Sequence, residues 1–372
     1  MYRGKYGLYS IILSMGMCLI SGCGISEHNY YPIESMPSDG ATCTIYNFNI
    51  ENYMNRGTSI QYFPQMPQRI LADGLEETEM VLAFAEEKDI LAVYGYYDLE
   101  DFVKPQFKEK INRLKVLKRG SMNLEHLLEL NPDFIVAEQC SFTPRSLRNT
   151  DFWNHRGIRT YAPKNTNSPA RRDYRETMDD EIQYIRDFGQ IFRKTDLAEA
   201  YIEDINKTLT FFAKHKNDKP PRKVMVVGYF DGLIASYDCF KLAGDMVQAL
   251  GGIVPKTLPL IGKEDFIQED PDIIFVVCDD GSHGELTKEF VKDKSFQKMK
   301  CIQNKAVYSI ELENMYAPGI RLKDGIECIG LAMYPELEEE YWKTQEDTMN
   351  PSYRDWLKYK SMKDFTTEES ST

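Results

Sequence analysis

The sequence predicts an α/β fold of two lobes joined by one long helix. Short apolar runs alternate with amphipathic segments, and such continuous runs are typical of strands buried in a parallel sheet. The runs at 134–137 and 273–278 are the clearest examples. The alternation occurs twice along the chain, and a helical region at 179–216 separates the two copies. Two consecutive α/β lobes with a helical connection fit this order.

The first copy of the alternation begins after Pro67. A strand at 69–73 leads into a helix at 77–86, and the next strand follows at 90–94. Apolar side chains recur along this helix and give it one apolar face. The other elements predicted for this part of the chain are strands at 42–48 and 60–63, a helix at 124–130, and strands at 134–137 and 159–162.

The helical region at 179–216 carries apolar side chains at spacings of three and four residues, which place them on one stripe. The sequence Lys194-Thr195-Asp196 interrupts the pattern, so we expect Asp196 to cap a second helix at 196–216. Two prolines, Pro220 and Pro221, end this helix. A helix between two lobes resists bending, which predicts that the lobes close only slightly.

The second copy of the alternation follows this helix. A turn at Gly251-Gly252 and an Asp-Pro-Asp sequence at 270–272 separate its elements. The elements predicted here are a strand at 223–228, helices at 244–249 and 264–268, and strands at 273–278 and 306–309.

The N-terminus has the features of a secretion signal. Arg3 and Lys5 precede an apolar stretch at 11–20, which is well short of the ~20 residues needed to span a bilayer. The following Ile20-Ser21-Gly22-Cys23 resembles the bacterial lipoprotein signal, which implies cleavage before Cys23 and acylation of its thiol. This interpretation predicts an extracytoplasmic protein anchored to the bacterial cell membrane by lipid. An uncleaved signal anchor is the alternative.

These features define six parts of the chain and exclude one class of partner. The net charge is −13, and cleavage of the signal would make it more negative, which argues against nucleic acid as a partner. The predicted parts are a signal peptide at 1–22, a lipid-anchored linker at 23–40, an N-terminal lobe at 41–195, a connecting helix at 196–216, a C-terminal lobe at 217–345 and a tail at 346–372.

Cysteine and histidine patterns give no sign of a metal site in the protein itself. The six cysteines after Cys23 are scattered without a CxxC pair, which argues against structural zinc and against a disulfide framework. We interpret most of them as small buried residues, while one or two disulfides stay open. The five histidines are dispersed as well. We therefore expect no intrinsic cofactor and no metal bound directly by the protein.

Five segments of the chain occur in a specific order and spacing. They are Pro67-Gln68-Arg69-Ile70 with Thr78-Glu79; Asn123-Leu124-Glu125 with Leu128 and 130–135; Lys263-Glu264-Asp265-Phe266 with 270–274; Lys305-Ala306-Val307-Tyr308; and Pro318-Gly319 with Arg321. Together they resemble the class III substrate-binding proteins of ABC importers, the family that carries ferric siderophores, haem and cobalamin. The resemblance covers roughly residues 66–336, and its most specific part is the segment that ends in Pro132-Asp133-Phe134-Ile135.

The resemblance implies the class III fold, in which two Rossmann-like lobes flank a ligand cleft and one backbone helix joins them. It also implies a monomer whose partners are an ABC permease with its ATPase, a small metal chelate and the lipid bilayer. Glu125 and Glu264 match the two family glutamates that dock on permease arginines. The alternative is that both are ordinary acidic residues at helix starts, where the helix dipole favours them.

Loops that leave the carboxyl ends of strands are expected to line the cleft. Their aromatic residues suit catecholate or macrocyclic faces, and arginine suits anionic chelate oxygens. His283 is the one candidate for direct contact with a cargo metal, and the alternative is a solvated loop histidine. Any of the tyrosines is otherwise a packing residue, and Arg119 otherwise faces water. The candidate cleft residues are Tyr96, Tyr97, Arg119, Phe142, Tyr229, Tyr237, His283, Tyr316 and Arg321.

The segment 178–192 resembles siderophore receptors more than cobalamin receptors, so the expected cargo is a ferric siderophore that brings its own metal. Haem and cobalamin stay open. An enzyme is the main alternative from another class, but the chain has no GxGxxG, P-loop or GxSxG motif. A lipoprotein that only serves as a scaffold is the third interpretation, and it predicts no closed cleft.

Overall fold

The computed structural model describes residues 43–95, 99–118, 120, 122–166, 175–230, 232–278 and 284–345 of the 372-residue chain. Several sequence predictions lie outside the described residues. They are the signal peptide, Cys23, the linker, Tyr96, Tyr97, Arg119, His283 and the tail at 346–372.

The N-terminal lobe contains a five-stranded parallel sheet with apolar clusters on both faces. An antiparallel hairpin precedes it, formed by β1 (Cys43–Glu51) and β2 (Met54–Phe63). The sheet strands are β3 (Ile70–Asp73), β4 (Ile90–Gly95), β5 (Val116–Lys118), β6 (Phe134–Ala137) and β7 (Arg159–Tyr161). The helices are α1 (Leu75–Phe84), α2 (Lys108–Ile111), α3 (Leu124–Leu130) and α4 (Thr150–Asn154).

The strand order in this sheet is β5-β4-β3-β6-β7. The chain starts in the middle at β3, moves to one side through β4 and β5, and then returns to add β6 and β7 on the other side. The direction of the chain therefore reverses between β3 and β6. The carboxyl ends of these two neighbouring strands lie side by side because the strands are parallel.

Two packed helices connect the lobes, α5 (Met178–Ile191) and α6 (Thr195–Ala213). The predicted interruption and the second helix are thus confirmed. The capping prediction was wrong, because Lys194 occupies the N-cap position and Asp196 lies in the first turn, where its negative charge favours the helix dipole.

A second five-stranded sheet, of order β10-β9-β8-β11-β12, forms the C-terminal lobe. Strand β9 runs antiparallel to its neighbours and the other pairs are parallel. The strands are β8 (Val224–Phe230), β9 (Leu233–Tyr237), β10 (Leu260–Ile261), β11 (Ile273–Cys278) and β12 (Val307–Glu311). The helices are α7 (Leu242–Ala249), α8 (Lys263–Glu269), α9 (Glu285–Lys292), α10 (Lys300–Gln303), α11 (Leu322–Met333) and α12 (Glu338–Gln345).

One apolar core runs through both lobes. It includes Ala72 of β3, Phe188 and Phe212 of the connecting helices, and Val226 and Phe275 of the second sheet. The central strands β3, β6, β8 and β11 are buried along their whole length, as their continuous apolar sequences predicted. The mixed α/β fold class is therefore confirmed.

Two further findings concern the described part of the chain as a whole. None of its helices combines the length and the apolar character that crossing a bilayer requires. No disulfide joins any of its six cysteines, four of which are buried, in agreement with their interpretation as small packing residues.

After β12 the chain returns to the N-terminal lobe, and buried ion pairs hold it there. Residues 319–321 pack against α1 and α5. Arg321 donates from Nε and Nη2 to the two carboxylate oxygens of Glu79, at 2.7 and 2.8 Å, and Nη2 also donates to the carbonyl oxygen of Phe102. Lys104 pairs with Asp324 at 2.9 Å. Both pairs are almost fully buried, so each group depends on its partner.

We predict that Glu79→Gln lowers the free energy of unfolding by about 3–5 kcal/mol, because it leaves the Arg321 guanidinium buried without its counter-charge. Urea unfolding followed by circular dichroism would measure this loss. The control is Glu87→Gln, which breaks a solvent-exposed pair with Arg113 and should leave the midpoint nearly unchanged. Equal shifts in the two variants would contradict the prediction.

Candidate ligand-binding site

The reversal point between β3 and β6 is where an open α/β sheet places a ligand. Crevices form outside the carboxyl ends of strands at such a point, because the loops from the two strands depart in opposite directions. In this chain, Gly74 follows β3 and begins the turn into α1, while Glu138 follows β6. The residues after these two strands therefore define the candidate site.

Three carboxylates meet at this point. Glu76 and Glu77 lie in the first turn of α1, and Glu138 leaves the adjacent strand. One oxygen atom from each residue lies within 4.8 Å of the other two. Glu76 and Glu77 are buried, being 7% and 1% exposed, and Glu138 is half-buried.

Gly74 makes this arrangement sterically feasible. Its φ of 127° is a conformation that L-residues with a side chain rarely adopt. A Cβ atom at this position would collide with Oε2 of Glu77 and would lie 3.8 Å from Oε1 of Glu138. The carboxylates thus pack over bare backbone at the start of α1.

Burial and mutual repulsion make these carboxylates costly to ionise. Burial, followed by the charges of Glu138 and Glu76, raises the pKa of Glu77 well above its usual range. Burial, followed by the charges of Glu313 and Glu138, does the same to the pKa of Glu76. No other described residue donates a hydrogen bond to either oxygen of Glu77. A carboxylate in such surroundings needs a proton or a cation.

Groups from other elements complete the surroundings of this carboxylate cluster, which comprises Glu76, Glu77 and Glu138. Glu313, which follows β12, brings an acidic group from the C-terminal lobe, and it is 5% exposed. Tyr184 of α5 is 1% exposed, and its hydroxyl has no hydrogen-bond partner among the described residues. Burial, followed by the charges of Glu77, Glu181 and Glu76, raises the pKa of Tyr184, so its hydroxyl lies within electrostatic reach of the cluster.

Tyr237 and Tyr316, both candidates from the sequence, lie within electrostatic reach of each other, and Tyr316 lies within reach of Glu138. Burial raises the pKa of Tyr316, and the charges of Glu138 and Cys140 add to the effect. Tyr237 is among the groups that influence Tyr316 and is 3% exposed. The Cys140 thiol donates to Oε2 of Glu138 at 2.8 Å. The site therefore combines an acidic end with an aromatic end.

Two of the other described cleft candidates lie elsewhere. Phe142 is fully buried in the cluster that covers one face of the first sheet. Tyr229 packs edge-on against Phe290 on one face of the second sheet, and its hydroxyl donates to Asp293. Arg321 is tied to Glu79, and its charge lowers the pKa of Glu76. Of the described candidates, Tyr316 and Arg321 therefore interact with the carboxylate cluster, and Tyr237 interacts with Tyr316.

Glu125 and Glu264 occupy equivalent positions on the two lobes. Each is exposed and lies in the first turn of the helix that precedes a central strand, α3 before β6 and α8 before β11. A helix between parallel strands begins at the carboxyl edge of the sheet, so both glutamates lie on the side where the cleft opens.

Sequence reasoning missed the carboxylate cluster because it considered metal ligation chiefly through histidine and cysteine. A usable signal was present, since acids follow two adjacent apolar strands, in Asp73-Gly74-Leu75-Glu76-Glu77 and in Ala137-Glu138. The expectation that the protein offers no metal site of its own stays a prediction. The cluster is the feature that bears on it most directly.

Two open hollows lie away from this site. One, of about 620 Å³, borders the β1–β2 hairpin and is lined by Glu51, Arg56 and Arg148 among others. The second, of about 740 Å³, lies along α6. Neither contains residues that follow β3 or β6, so we assign the candidate site to the strand reversal rather than to these hollows.

A sequence model for periplasmic binding proteins matches residues 74–312. This chain belongs to the periplasmic binding protein family. The match spans well over half of the sequence and runs from Gly74 to Leu312, so it includes the carboxylate cluster and both lobes. Among curated proteins, no sequence matches this chain.

Solved structures support the class III fold that the sequence resemblance implied. A periplasmic binding protein from Veillonella parvula is 26% identical, with a TM-score of 0.72 over 80% of this chain and 93% of that one. An ABC-type Fe³⁺-hydroxamate transport protein from Saccharomonospora viridis is 15% identical, with a TM-score of 0.62 over 78% and 99%. Helicobacter pylori CeuE with Ni(II) bound is 17% identical, with a TM-score of 0.57 over 83% and 99%.

Family membership establishes the coarse function. Members are extracytoplasmic solute-binding proteins, and the class III members serve ABC transporters for siderophores, haem and cobalamin. The family consists of binding proteins rather than enzymes.

Glu181, close to this site, generates a prediction about pH. Its carboxylate is fully buried and accepts hydrogen bonds from Gly319 N and Asn165 Nδ2, both at 2.7 Å. Burial raises its pKa to about 7. The folded state therefore binds more protons than the unfolded state above pH ~4.5, so this group's contribution to stability is present at low pH and is lost as pH rises towards 7.

We expect Glu181→Gln to reduce the fall in unfolding free energy between pH 5 and pH 7 by about 1.4 kcal/mol per pH unit. Denaturant unfolding at several pH values measures how the free energy of unfolding changes with pH. This change is more informative than the absolute stability, because the NH₂ group of the new glutamine would face one of the N–H donors that Glu181 accepts from and would destabilise the variant at every pH. Glu199→Gln, a change at an exposed residue, serves as the control. An unchanged slope in the Glu181 variant would refute the expectation.

Proposed function

We propose that this protein is the substrate-binding lipoprotein of an ABC importer, that it captures a metal chelate in the cleft between its lobes, and that it delivers the chelate to a permease. Family membership and the two equivalent rim glutamates support this role. The carboxylate cluster at the strand reversal carries the argument about cargo, because it brings three carboxylates close enough together to share one cation.

The charge of the cluster favours a cargo whose metal centre presents positive charge towards Glu76, Glu77 and Glu138. A ferric siderophore was expected from the sequence, and Arg321, one of the two arginines expected to meet its anionic oxygens, is bound to Glu79 instead. An iron chelate in which some coordination positions of the metal stay accessible agrees with the ligands of the family. It also agrees with the carboxylates of the cluster, which could occupy those positions. The aromatic end, formed by Tyr237 and Tyr316, suits the organic part of the chelate.

Docking through Glu125 and Glu264 fits this role physically. Exposed charges at an interface rim orient a partner and speed its encounter more than they add affinity. A lipid on Cys23 would keep the protein close to the membrane and raise the effective concentration of the permease.

Titration of the purified protein with ferric siderophores, haem and cobalamin, followed by tryptophan and tyrosine fluorescence, tests the cargo. We expect sub-micromolar quenching by an iron chelate, with little response to the same siderophore without iron. Quenching by haem or cobalamin alone would replace the chelate assignment with one of those ligands. Failure of all three classes to bind would refute the proposed function.

We expect the double charge reversal Glu125→Lys with Glu264→Lys to abolish import in cells while leaving ligand affinity unchanged, because both residues lie outside the carboxylate cluster. Uptake of the labelled chelate measures the first effect and fluorescence titration the second.

The matched control is Glu129→Lys with Glu289→Lys, which alters net charge equally at exposed positions on α3 and α9 and should import normally. Cys23→Ser should release the protein from the membrane fraction. Normal import by the docking variant would exclude the proposed interface.

A further inference from the structure

The carboxylate cluster has the dimensions of a metal site. Oxygen ligands of one hard cation lie about 2.0–2.6 Å from it, so two of them are separated by at most about 5 Å. One oxygen from each of Glu76, Glu77 and Glu138 meets this condition, since all three lie within 4.8 Å of one another. An ion placed among them would touch ligands from two neighbouring strand ends.

Two buried groups at the cluster lack the partners that folding normally supplies. Both carboxylate oxygens of Glu77 are inaccessible to solvent and accept no hydrogen bond from another described residue. The hydroxyl of Tyr184, on a different element, is equally buried and has no partner there. Most buried polar groups in proteins are hydrogen-bonded, so two exceptions at one place point to a ligand.

Proton sharing between acids does not account for the arrangement. A protonated carboxyl group would donate to its neighbour, as in paired acids at short distance. Neither oxygen of Glu77 takes part in such a hydrogen bond. A proton on Glu77 would lower its charge but would give it no hydrogen bond with another described residue.

Two cations among the described residues are paired with other acids, and one of them, Arg321, also lowers the pKa of Glu76. Arg321 makes a bidentate pair with Glu79, and Lys241 pairs with Glu176 at 2.6 Å. Glu313 adds a further acidic group from the second lobe. Negative charge therefore accumulates from both sides of the cleft.

We propose that Glu76, Glu77 and Glu138 coordinate the metal of the cargo directly through carboxylate oxygens, and that this metal is a hard, oxygen-preferring ion such as Fe³⁺ or Mn²⁺. The proposal rests on the proposed function, which makes the cleft the cargo site. An all-oxygen ligand set of carboxylates with a nearby phenol selects this class of ion. The organic chelator fills the positions that the protein leaves.

Bare ions test this proposal without any chelator. Mn²⁺ is followed by calorimetry, and Tb³⁺, a luminescent hard cation, by emission sensitised through nearby tyrosines. We expect both to bind the purified protein with one site. The double variant Glu77→Gln with Glu138→Gln should lower affinity for both ions about tenfold or more.

Thermal unfolding of the same variant distinguishes a ligand role from a structural one. Replacing two crowded carboxyl groups by neutral amides should raise the melting temperature of the metal-free protein, while the rise that Mn²⁺ produces in the native protein should disappear. A variant at an exposed acid, Glu129→Gln, should retain the full response to Mn²⁺. Equal Mn²⁺ affinity in the double variant and the native protein would overturn the proposal.

The outcomes separate this inference from the proposed function. If iron chelates bind and are imported but neither bare ion binds, direct coordination is refuted and the receptor role stands. If both ions bind at the cluster but no chelate binds or is imported, the metal site stands and the proposed function fails.

Discussion

The buried ion pair between Glu79 and Arg321 joins the segment after the last strand to the first helix of the N-terminal lobe. It spans 242 positions of sequence and lies about one turn along α1 from Glu76. Because the pair is desolvated, neither partner can leave without exposing the other to a large penalty. Arg321 is thereby held against Glu79, and its charge reaches Glu76 only as a lesser influence than burial and the neighbouring acids. The first turn of α1 therefore keeps carboxylates that are costly to ionise unless a proton or a cation joins them.

A fold that crowds carboxylates together in its interior, one of them without a hydrogen-bond partner among the described residues, loses stability at that place. Evolution tolerates such local conflicts where function needs them, and the rest of the molecule offsets them. Here the stability lost at the carboxylates is offset by a single apolar core, which includes strands of both sheets and both connecting helices. The first turn of α1 contributes as well, since the positive end of its dipole faces Glu76 and Glu77. A bound cation would relieve the remaining repulsion and would make ligand binding and stability interdependent.

The sequence predicted the parts of the fold that depend on local pattern. Three elements were predicted with their observed bounds, the strands at 134–137 and 273–278 and the helix at 124–130. A strand that is buried along its whole length, or a helix that buries one face, shows a regular apolar pattern in its sequence. Strands β5 and β9 were missed, since three to five residues carry too little pattern. The ion pair that Arg321 makes with Glu79 could not be predicted from the sequence either. Its partner is remote in sequence, and a lone arginine near a family motif resembles a ligand contact until Glu79 is seen beside it.

The same distinction explains why the two tyrosines were candidates from the sequence and the acids were not. Tyr237 and Tyr316 belong to segments that the family resemblance places near the ligand, and their role in binding stays a prediction. Glu76 and Glu77 fit their helix as ordinary first-turn acids, and the signal that sets them apart is that acids also follow the adjacent apolar strand. Their burial comes from the parallel pairing of β3 with β6, which sets Glu138 beside them, and from Gly74, whose missing side chain leaves the space that Glu77 occupies. A binding site made from the ends of two strands therefore depends on which strands are neighbours in the sheet. The order of strands is the feature of a fold that a single sequence predicts least well.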